Sequence, residues 1–175
     1  MKIIAFGAST SFNSINKSLA AYTAGLVDGA DVEVLDLNDF SVPLFSEDTE
    51  KEVGRPEGAQ AYFAKLESAD AFVISLAEHN GTYTAAYKNL FDWASRINQQ
   101  MFAHKPVVYL SASPGPGGAQ SVLAQATGSA AFFHADVKAS VSIPSFYDVF
   151  DMQSGQPTDD AIKVQLAAAA ATLSA

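Results

Sequence analysis

The run 71–76, Ala-Phe-Val-Ile-Ser-Leu, leads directly into residues 77–96, AEHNGTYTAAYKNLFDWASR, and this stretch constrains the fold more than any other. The run has the length and β-branched content of a strand buried on both faces. Asn80-Gly81 is a turn-forming pair, and after it helical periodicity sets in. Ala86, Leu90, Trp93, Ala94 and Ile97 recur at i, i+4, i+7, i+8 and i+11, one apolar stripe, while Lys88, Asn89, Asp92 and Arg96 lie off it. The unit is therefore strand, loop, helix; the helix packs on a sheet and the loop before it is free for function.

The same unit recurs along the chain. A short apolar strand over 2–6 ends at Gly7 and is followed by a hydroxyl- and amide-rich loop, 8–16, and a helix over about 17–27. A second strand spans 32–37. A proline-marked excursion through Pro43, Glu47, Asp48, Glu50, Lys51, Glu52 and Pro56 is expected to carry little regular structure. A helix over 57–68, with Ala59, Tyr62, Phe63 and Leu66 on one face, delivers the chain to the strand at Ala71. Beyond the central stretch come a fourth strand (107–110), a glycine-proline loop (113–118), a helix (119–133), a fifth strand (137–143) and a last helix capped by Thr158 or Asp159.

Such alternation predicts a parallel sheet with helices on both faces. The first, third and fourth strands are nearly continuous apolar runs, as central strands should be. The fifth alternates Val137, Ala139, Val141 and Ile143 with Lys138, Ser140 and Ser142, and the second carries Glu33 and Asp36, so these two are the edges. The expected fold is an α/β three-layer sandwich, a five-stranded parallel sheet in the flavodoxin-like order 2-1-3-4-5, formed as a single domain over 1–175. In such sheets ligands bind beyond the carboxyl ends of the strands at the switch point, here between strands one and three. Loops 8–16, 77–84 and 112–118 converge there.

Composition narrows the chemistry. The chain has 175 residues, 49% of them hydrophobic, enough for one full core. A net charge of −9 argues against a nucleic-acid surface and against adhesion to anionic lipid. The absence of cysteine excludes disulfides, thiolate metal sites and cysteine nucleophiles. No apolar run approaches the roughly 18–20 residues that span a bilayer, and the first seven residues are too short for a signal peptide, so a cytoplasmic protein is expected. Glu78 and His79 lack a third ligand at usable spacing, which predicts no metal site. Gly-x-Ser-x-Gly is absent from the Ser113 loop, so a hydrolase elbow is not supported. His104 and His134 lie outside the three loops and read as structural.

The first loop carries the donors of a phosphate site. Ser9, Thr10, Ser11 and Ser14 offer hydroxyls, Asn13 and Asn16 offer amides, and the N-terminus of the next helix favours an anion. Neither a triphosphate loop nor a Gly-x-Gly-x-x-Gly dinucleotide fingerprint is present, which favours a monophosphate held by neutral donors. A plain capped turn, built from the same residue types, is the competing reading.

Gly7-Ala8-Ser9 through Ser14, Asn16, Leu19 and Ala20, then Glu78-x-Asn80-Gly81-Thr82, Lys88-Asn89, Asp92-Trp93 and Ser95-Arg96, then Lys105-Pro106 leading to Ser113, Gly115 and Gly117-Gly118, together resemble the NAD(P)H-dependent FMN reductase family across about residues 2–130. The resemblance implies bound FMN, with NADPH or NADH as electron donor. It puts Ser9, Ser11, Ser14, Ile15 and Asn16 at the FMN phosphate. Glu78, His79, Asn80 and Gly81 would run along the isoalloxazine, and Ser113, Gly115 and Gly118 would close its pyrimidine side. It further implies hydride transfer through flavin N5, with no catalytic side chain required and His79 the weak candidate for a proton donor. Two electrons would pass to a small acceptor: a quinone, azo or nitro compound, metal ion or free flavin. A homodimer or homotetramer is implied, with the helix after the central loop at the interface. The family's arginine in the first loop is replaced here by Thr10 or Ser11, its proline by Ala77 and its tyrosine by His79. A flavodoxin-type electron carrier and a non-enzymatic flavodoxin-like binding module are the alternatives.

Overall fold

The computed structural model describes residues 1–174; Ala175, the last residue of the expected domain, lies outside them. Five strands, β1 (Lys2–Gly7), β2 (Asp31–Leu35), β3 (Ala71–Leu76), β4 (Pro106–Ala112) and β5 (Asp136–Ile143), pair in parallel in the order β2-β1-β3-β4-β5. The charged second strand and the half-polar fifth strand do form the edges. Among the described residues are seven α-helices, α1 (Ile15–Gly25), α2 (Glu47–Val53), α3 (Glu57–Ser68), α4 (Ala85–Ile97), α5 (Gln120–Ser129), α6 (Phe146–Val149) and α7 (Asp160–Ala171), of which all but α2 contribute residues to the core. No helix among the described residues is long and apolar enough to cross a membrane.

Alternation along the central strands divides the core into two layers. Ile4, Phe6, Phe72, Ile74, Val107 and Tyr109 meet Tyr62 and Leu66 of α3, Leu90 and Ala94 of α4, and Val122 and Ala126 of α5. Ile3, Ala5, Val73, Val108 and Leu110 meet Leu19, Ala20 and Ala24 of α1 and Leu166 and Ala170 of α7. Each fully buried Leu, Ile or Phe contributes about 1.5–3 kcal/mol, so these layers carry the bulk of the driving force. In β5 the alternation does not serve a single face. The register slips between Val107 and Val108, so Val137 opposes Val107 while Ala139 opposes Val108. That bulge sends Val137 to the α3–α5 side and Ala139, Val141 and Ile143 to the α1–α7 side.

Several boundaries differ from the sequence reading, each for a local reason. Helix α1 begins at Ile15 because Ser14 is its N-cap, its side chain accepting from the Lys17 N–H. Strand β2 stops at Leu35 because Asp36 turns the chain by accepting from the Asn38 N–H and capping a 3₁₀ turn, Leu37–Asp39. The excursion expected to be irregular contains α2: Ser46 caps it, Glu47, Asp48 and Glu50 complement its N-terminal dipole, and Gly54 ends it at φ 68°. The helix expected over 119–133 stops at Ser129 and continues as a 3₁₀ turn, Ala130–Phe133. Asp159, not Thr158, caps α7. On α4 the buried stripe is Tyr87, Leu90, Trp93 and Ala94, whereas Ala86 is exposed. A methyl group covers little there, and the Tyr87 ring one position on reaches Phe6 at 6.0 Å.

The α2 excursion is strapped to α4. The Asn89 side chain accepts from the Phe45 N–H at 2.8 Å and donates to the Pro43 carbonyl at 3.0 Å. The Trp93 indole N–H donates to the same carbonyl at 2.7 Å, and Phe45 stands edge-on to the Trp93 ring, 5.1 Å between centroids. Lys88 pairs with Asp92 at 2.7 Å, whereas Arg96, four residues after Asp92, pairs with Glu50 of α2.

Two features seat the N-terminal turn of α1 on the sheet. Gly7 has no side chain, and a Cβ there would lie 2.3 Å from the Lys17 backbone nitrogen and 2.8 Å from the Asn16 carbonyl carbon. The buried Asn16 amide spans β3 and β4: its oxygen accepts from the Ser75 hydroxyl (2.7 Å) and the Ala112 N–H (3.1 Å), and its nitrogen donates to the Ala112 carbonyl (3.3 Å).

Gly7→Ala forces α1 away from β1. We expect a loss of about 2–3 kcal/mol, read as a lower urea midpoint at an unchanged slope. The Tyr62 hydroxyl is the buried side-chain polar atom without a partner among the described residues, and burial pushes its ionisation well above the ordinary tyrosine range. Tyr62→Phe removes that atom and keeps the ring against Phe6 and Phe40. The same denaturation measurement should show unchanged or slightly higher stability; a loss beyond about 1 kcal/mol would contradict the assignment. Asn89→Ala releases one end of the strap, and limited proteolysis should then cut within 41–56 faster than in the parent protein while the core melts at nearly the same temperature.

Candidate functional site

At the carboxyl end of the sheet, the loops after β1, β3 and β4 enclose a cleft of about 260 Å³. The first loop places Ser9, Ser11, Asn13, Ser14, Ile15 and Asn16 on its wall. Within this loop, the Ser9 hydroxyl oxygen accepts from the Ser11 N–H at 3.1 Å, a local turn that keeps the loop compact. The Ser14 oxygen is engaged as the cap of α1, leaving its hydroxyl hydrogen to donate. Among the described residues, the N–H groups of Ile15 and Asn16, at the first turn of α1, have no acceptor within the protein. The Asn16 side chain is committed to Ser75 and Ala112, so this residue offers the cleft its backbone N–H and not its amide.

The second loop is a tight hairpin. Glu78–His79 and Thr82–Tyr83 pair antiparallel across Asn80 and Gly81, whose φ values of 53° and 81° are those of a type I′ turn. Glu78 and His79 line the cleft, whereas Asn80 and Gly81 sit at the exposed tip outside its lining. The Glu78 carboxylate accepts from the Val122 N–H at 2.8 Å, so it caps α5, whose own cap position, Ala119, has no side chain to do so. His79 is exposed. Among the described residues no group of three or more His, Cys, Asp or Glu is placed to hold a metal ion.

From the third loop Ala112, Ser113 and Pro114 reach the cleft, while Gly115 and Gly118 do not line it. These glycines shape the loop instead. The Gly115 carbonyl accepts from the Ser113 hydroxyl at 3.0 Å and the Ser145 N–H at 2.9 Å. Gly118, at φ 59°, presents its carbonyl to the hydroxyls of Ser111 and Ser142. A Cβ at Gly118 would lie 2.2 Å from the Ser142 hydroxyl.

Tyr147, on α6 just after β5, also lines the cleft with its ring largely exposed. Its only signal in the sequence was an aromatic residue shortly after the fifth strand, at the ligand end of the sheet. A second cleft, lined by Ser9, Thr10, Ser11, His79, Thr84 and Ala86, adjoins the first across Ser9, Ser11 and His79. At the opposite end of the sheet the His104 and His134 rings bond to one another at 2.8 Å and the His104 N–H donates to the His134 carbonyl, which joins the turn before β4 to the end of the 3₁₀ segment. This pair has no part in the cleft.

The walls are thus rich in neutral hydroxyl and N–H donors, and the three loops contain no lysine or arginine. Such a lining, with the free N–H groups of the α1 terminus, suits an anion.

The chain matches the NADPH-dependent FMN reductase family over residues 1–148. It is 30% identical over 163 residues to an NAD(P)H-dependent FMN reductase of Pseudomonas aeruginosa, an alignment covering 91% of this chain and 86% of that protein. It is 34% identical over 104 residues to the quinone reductase of Escherichia coli, covering 58% of this chain and 55% of that one. The fold resembles that of FerB, a flavoenzyme NAD(P)H:(acceptor) oxidoreductase from Paracoccus denitrificans, with a TM-score of 0.76 at 22% identity, covering 99% of this chain and 95% of that one. Fold order, the three-loop cleft and the match over residues 1–148 lead to one conclusion: the chain belongs to the NADPH-dependent FMN reductase family and is an oxidoreductase with FMN as cofactor and a nicotinamide nucleotide as electron donor.

Proposed function

We propose that residues 1–175 form a single FMN-binding domain that passes two electrons from NADPH or NADH, through FMN in the three-loop cleft, to a small acceptor such as a quinone. The observation that carries this reading is the meeting of eight sequence-predicted residues, Ser9, Ser11, Ser14, Ile15, Asn16, Glu78, His79 and Ser113, in one cleft at the switch point. The donor set fits the cofactor: hydroxyls and free N–H groups at the α1 terminus suit a phosphate, and the hairpin and third loop leave room for a flat ring beside them.

In this reading Ser9, Ser11, Asn13 and Ser14 donate to the phosphate together with the N–H groups of Ile15 and Asn16. Glu78, held by the Val122 N–H, fixes the hairpin at the ring edge, and Ser113 with Pro114 bounds the other side. Asn80, Gly81, Gly115 and Gly118 act through loop shape. Tyr147 offers an aromatic face at the mouth. FMN supplies the hydride and electron chemistry, so the chain needs no acid or base of its own; its work is binding, orientation and shielding. The adjoining cleft over Thr10, His79, Thr84 and Ala86 gives donor and acceptor in turn a place beside the ring.

A homodimer is part of the proposal. Tyr83, Phe91 and Phe133 line a groove between α4 and α5, and exposed Phe132 stands edge-on to Phe133, an aromatic surface suited to a second copy. A cytoplasmic setting fits the nicotinamide donor.

The protein loaded with FMN and desalted should keep its visible flavin bands, and anaerobic NADPH or NADH should bleach them. Bands that resist both nucleotides would identify an electron carrier, and complete loss of flavin a binding module. Ser9→Trp fills the cleft and should weaken FMN binding by about tenfold or more. Unchanged flavin retention in that variant would contradict the placement.

A further inference from the structure

The phosphate end of the cleft raises an electrostatic problem. The protein carries a net charge of −9, the cleft wall includes the Glu78 carboxylate, and the three loops contribute no Lys or Arg. The first cation after the phosphate loop is Lys17, in the first turn of α1, three residues after the cap Ser14. Its side chain faces a hollow of about 470 Å³ that shares Asn13 and Ser14 with the cleft, so the ammonium stands behind the loop and not in it.

That ammonium is not free. It contacts Asp36 at 2.6 Å, and both groups remain about one-third exposed. The bond from Lys17, with that from the Asn38 N–H, holds the Asp36 carboxyl below the ordinary carboxylate range, so it is an anion at neutral pH. The other Asp36 oxygen accepts from the Asn38 backbone (3.0 Å) and side-chain amide (2.8 Å), and the same side-chain nitrogen donates to the Thr10 carbonyl (3.1 Å). The pair is thereby anchored to the phosphate loop itself.

Resting on the FMN reading above, we propose that Lys17 and Asp36 are a charge-setting pair for the phosphate subsite: Lys17 supplies its countercharge from behind the loop, and Asp36 attenuates it. FMN affinity is then set by the net charge of the pair. A dianion facing one unit charge through partly exposed surroundings should feel a several-fold effect that salt weakens.

The test is a set of flavin-fluorescence titrations with FMN and with riboflavin, which lacks the phosphate, at low ionic strength and at about 0.5 M salt, where screening is nearly complete. Lys17→Gln should weaken FMN by about fivefold at low salt and leave riboflavin unchanged, and Asp36→Asn should tighten FMN by a similar factor. Lys17→Arg keeps the charge and should behave as the parent. The double variant Lys17→Gln/Asp36→Asn restores neutrality and should return close to the parental affinity, which a merely structural role would not produce. Equal weakening of riboflavin, an unaltered FMN affinity in Lys17→Gln, or a double variant as weak as Lys17→Gln would each overturn the proposal. Failure of the parent protein to bind FMN would overturn the functional reading itself, an outcome distinct from FMN binding that ignores both charges.

Discussion

The close seat of α1 on the sheet is the constraint on which the rest of the molecule depends. Gly7 permits it by having no Cβ where the first turn of α1 passes over β1, and Asn16 secures it by bonding to Ser75 of β3 and Ala112 of β4. A buried amide satisfied on both of its polar atoms is stable in a low-dielectric core, whereas a half-satisfied one would be costly. One residue thus ties the ends of two neighbouring strands to the helix whose N-terminus faces the cleft. The first and third loops leave the sheet beside this side chain, and its bonds to both strands explain why an amide rather than an aliphatic residue occupies so buried a position.

The cleft works with little formal charge. Its lining offers hydroxyls, the Asn13 amide and backbone N–H groups, its one carboxylate is turned to cap α5, and Lys17, outside that lining, is paired with Asp36. Neutral donors pre-oriented by a helix terminus bind a phosphate without the desolvation cost of a buried cation. Glycines and hydroxyls divide the labour: Gly118 and Gly115 shape the third loop through their carbonyls, and Ser9, Ser11, Ser14 and Ser113 line the cleft.

Around the site the chain is organised by aromatic packing and by the strap. Phe6 contacts Tyr62 and Tyr87, Tyr87 contacts Tyr83 and Phe91, and Phe91 meets Phe133, so a chain of rings runs from the centre of the sheet to the α4–α5 groove. Burial raises the ionisation of Tyr62, Tyr87 and Tyr109 above the usual range, so these phenols stay neutral. On the other side of α4, Asn89, Trp93 and Arg96 hold the acidic α2 excursion. Residues that the resemblance picks out as a motif therefore serve the scaffold as well as the site's surroundings.

Hydrophobic patterning in the sequence determined the five parallel strands and which two of them form the edges, because burial on one or two faces leaves a period that can be read locally. The Asn80-Gly81 turn was legible for the same reason: its backbone conformation is a property of those two residues. The destination of each polar side chain was not legible, since an amide or carboxylate bonds to whatever the fold brings near it. Asn16 turned inward to two strands, Glu78 crossed to α5, and Arg96 chose Glu50 over Asp92. The bulge that divides β5 between two core layers, the entry of Tyr147 into the cleft and the pairing of Lys17 with Asp36 were likewise decided by the tertiary structure, because each joins residues on separate segments of the chain. Local physics determined the elements; only their assembly decided which atoms would be left free to bind.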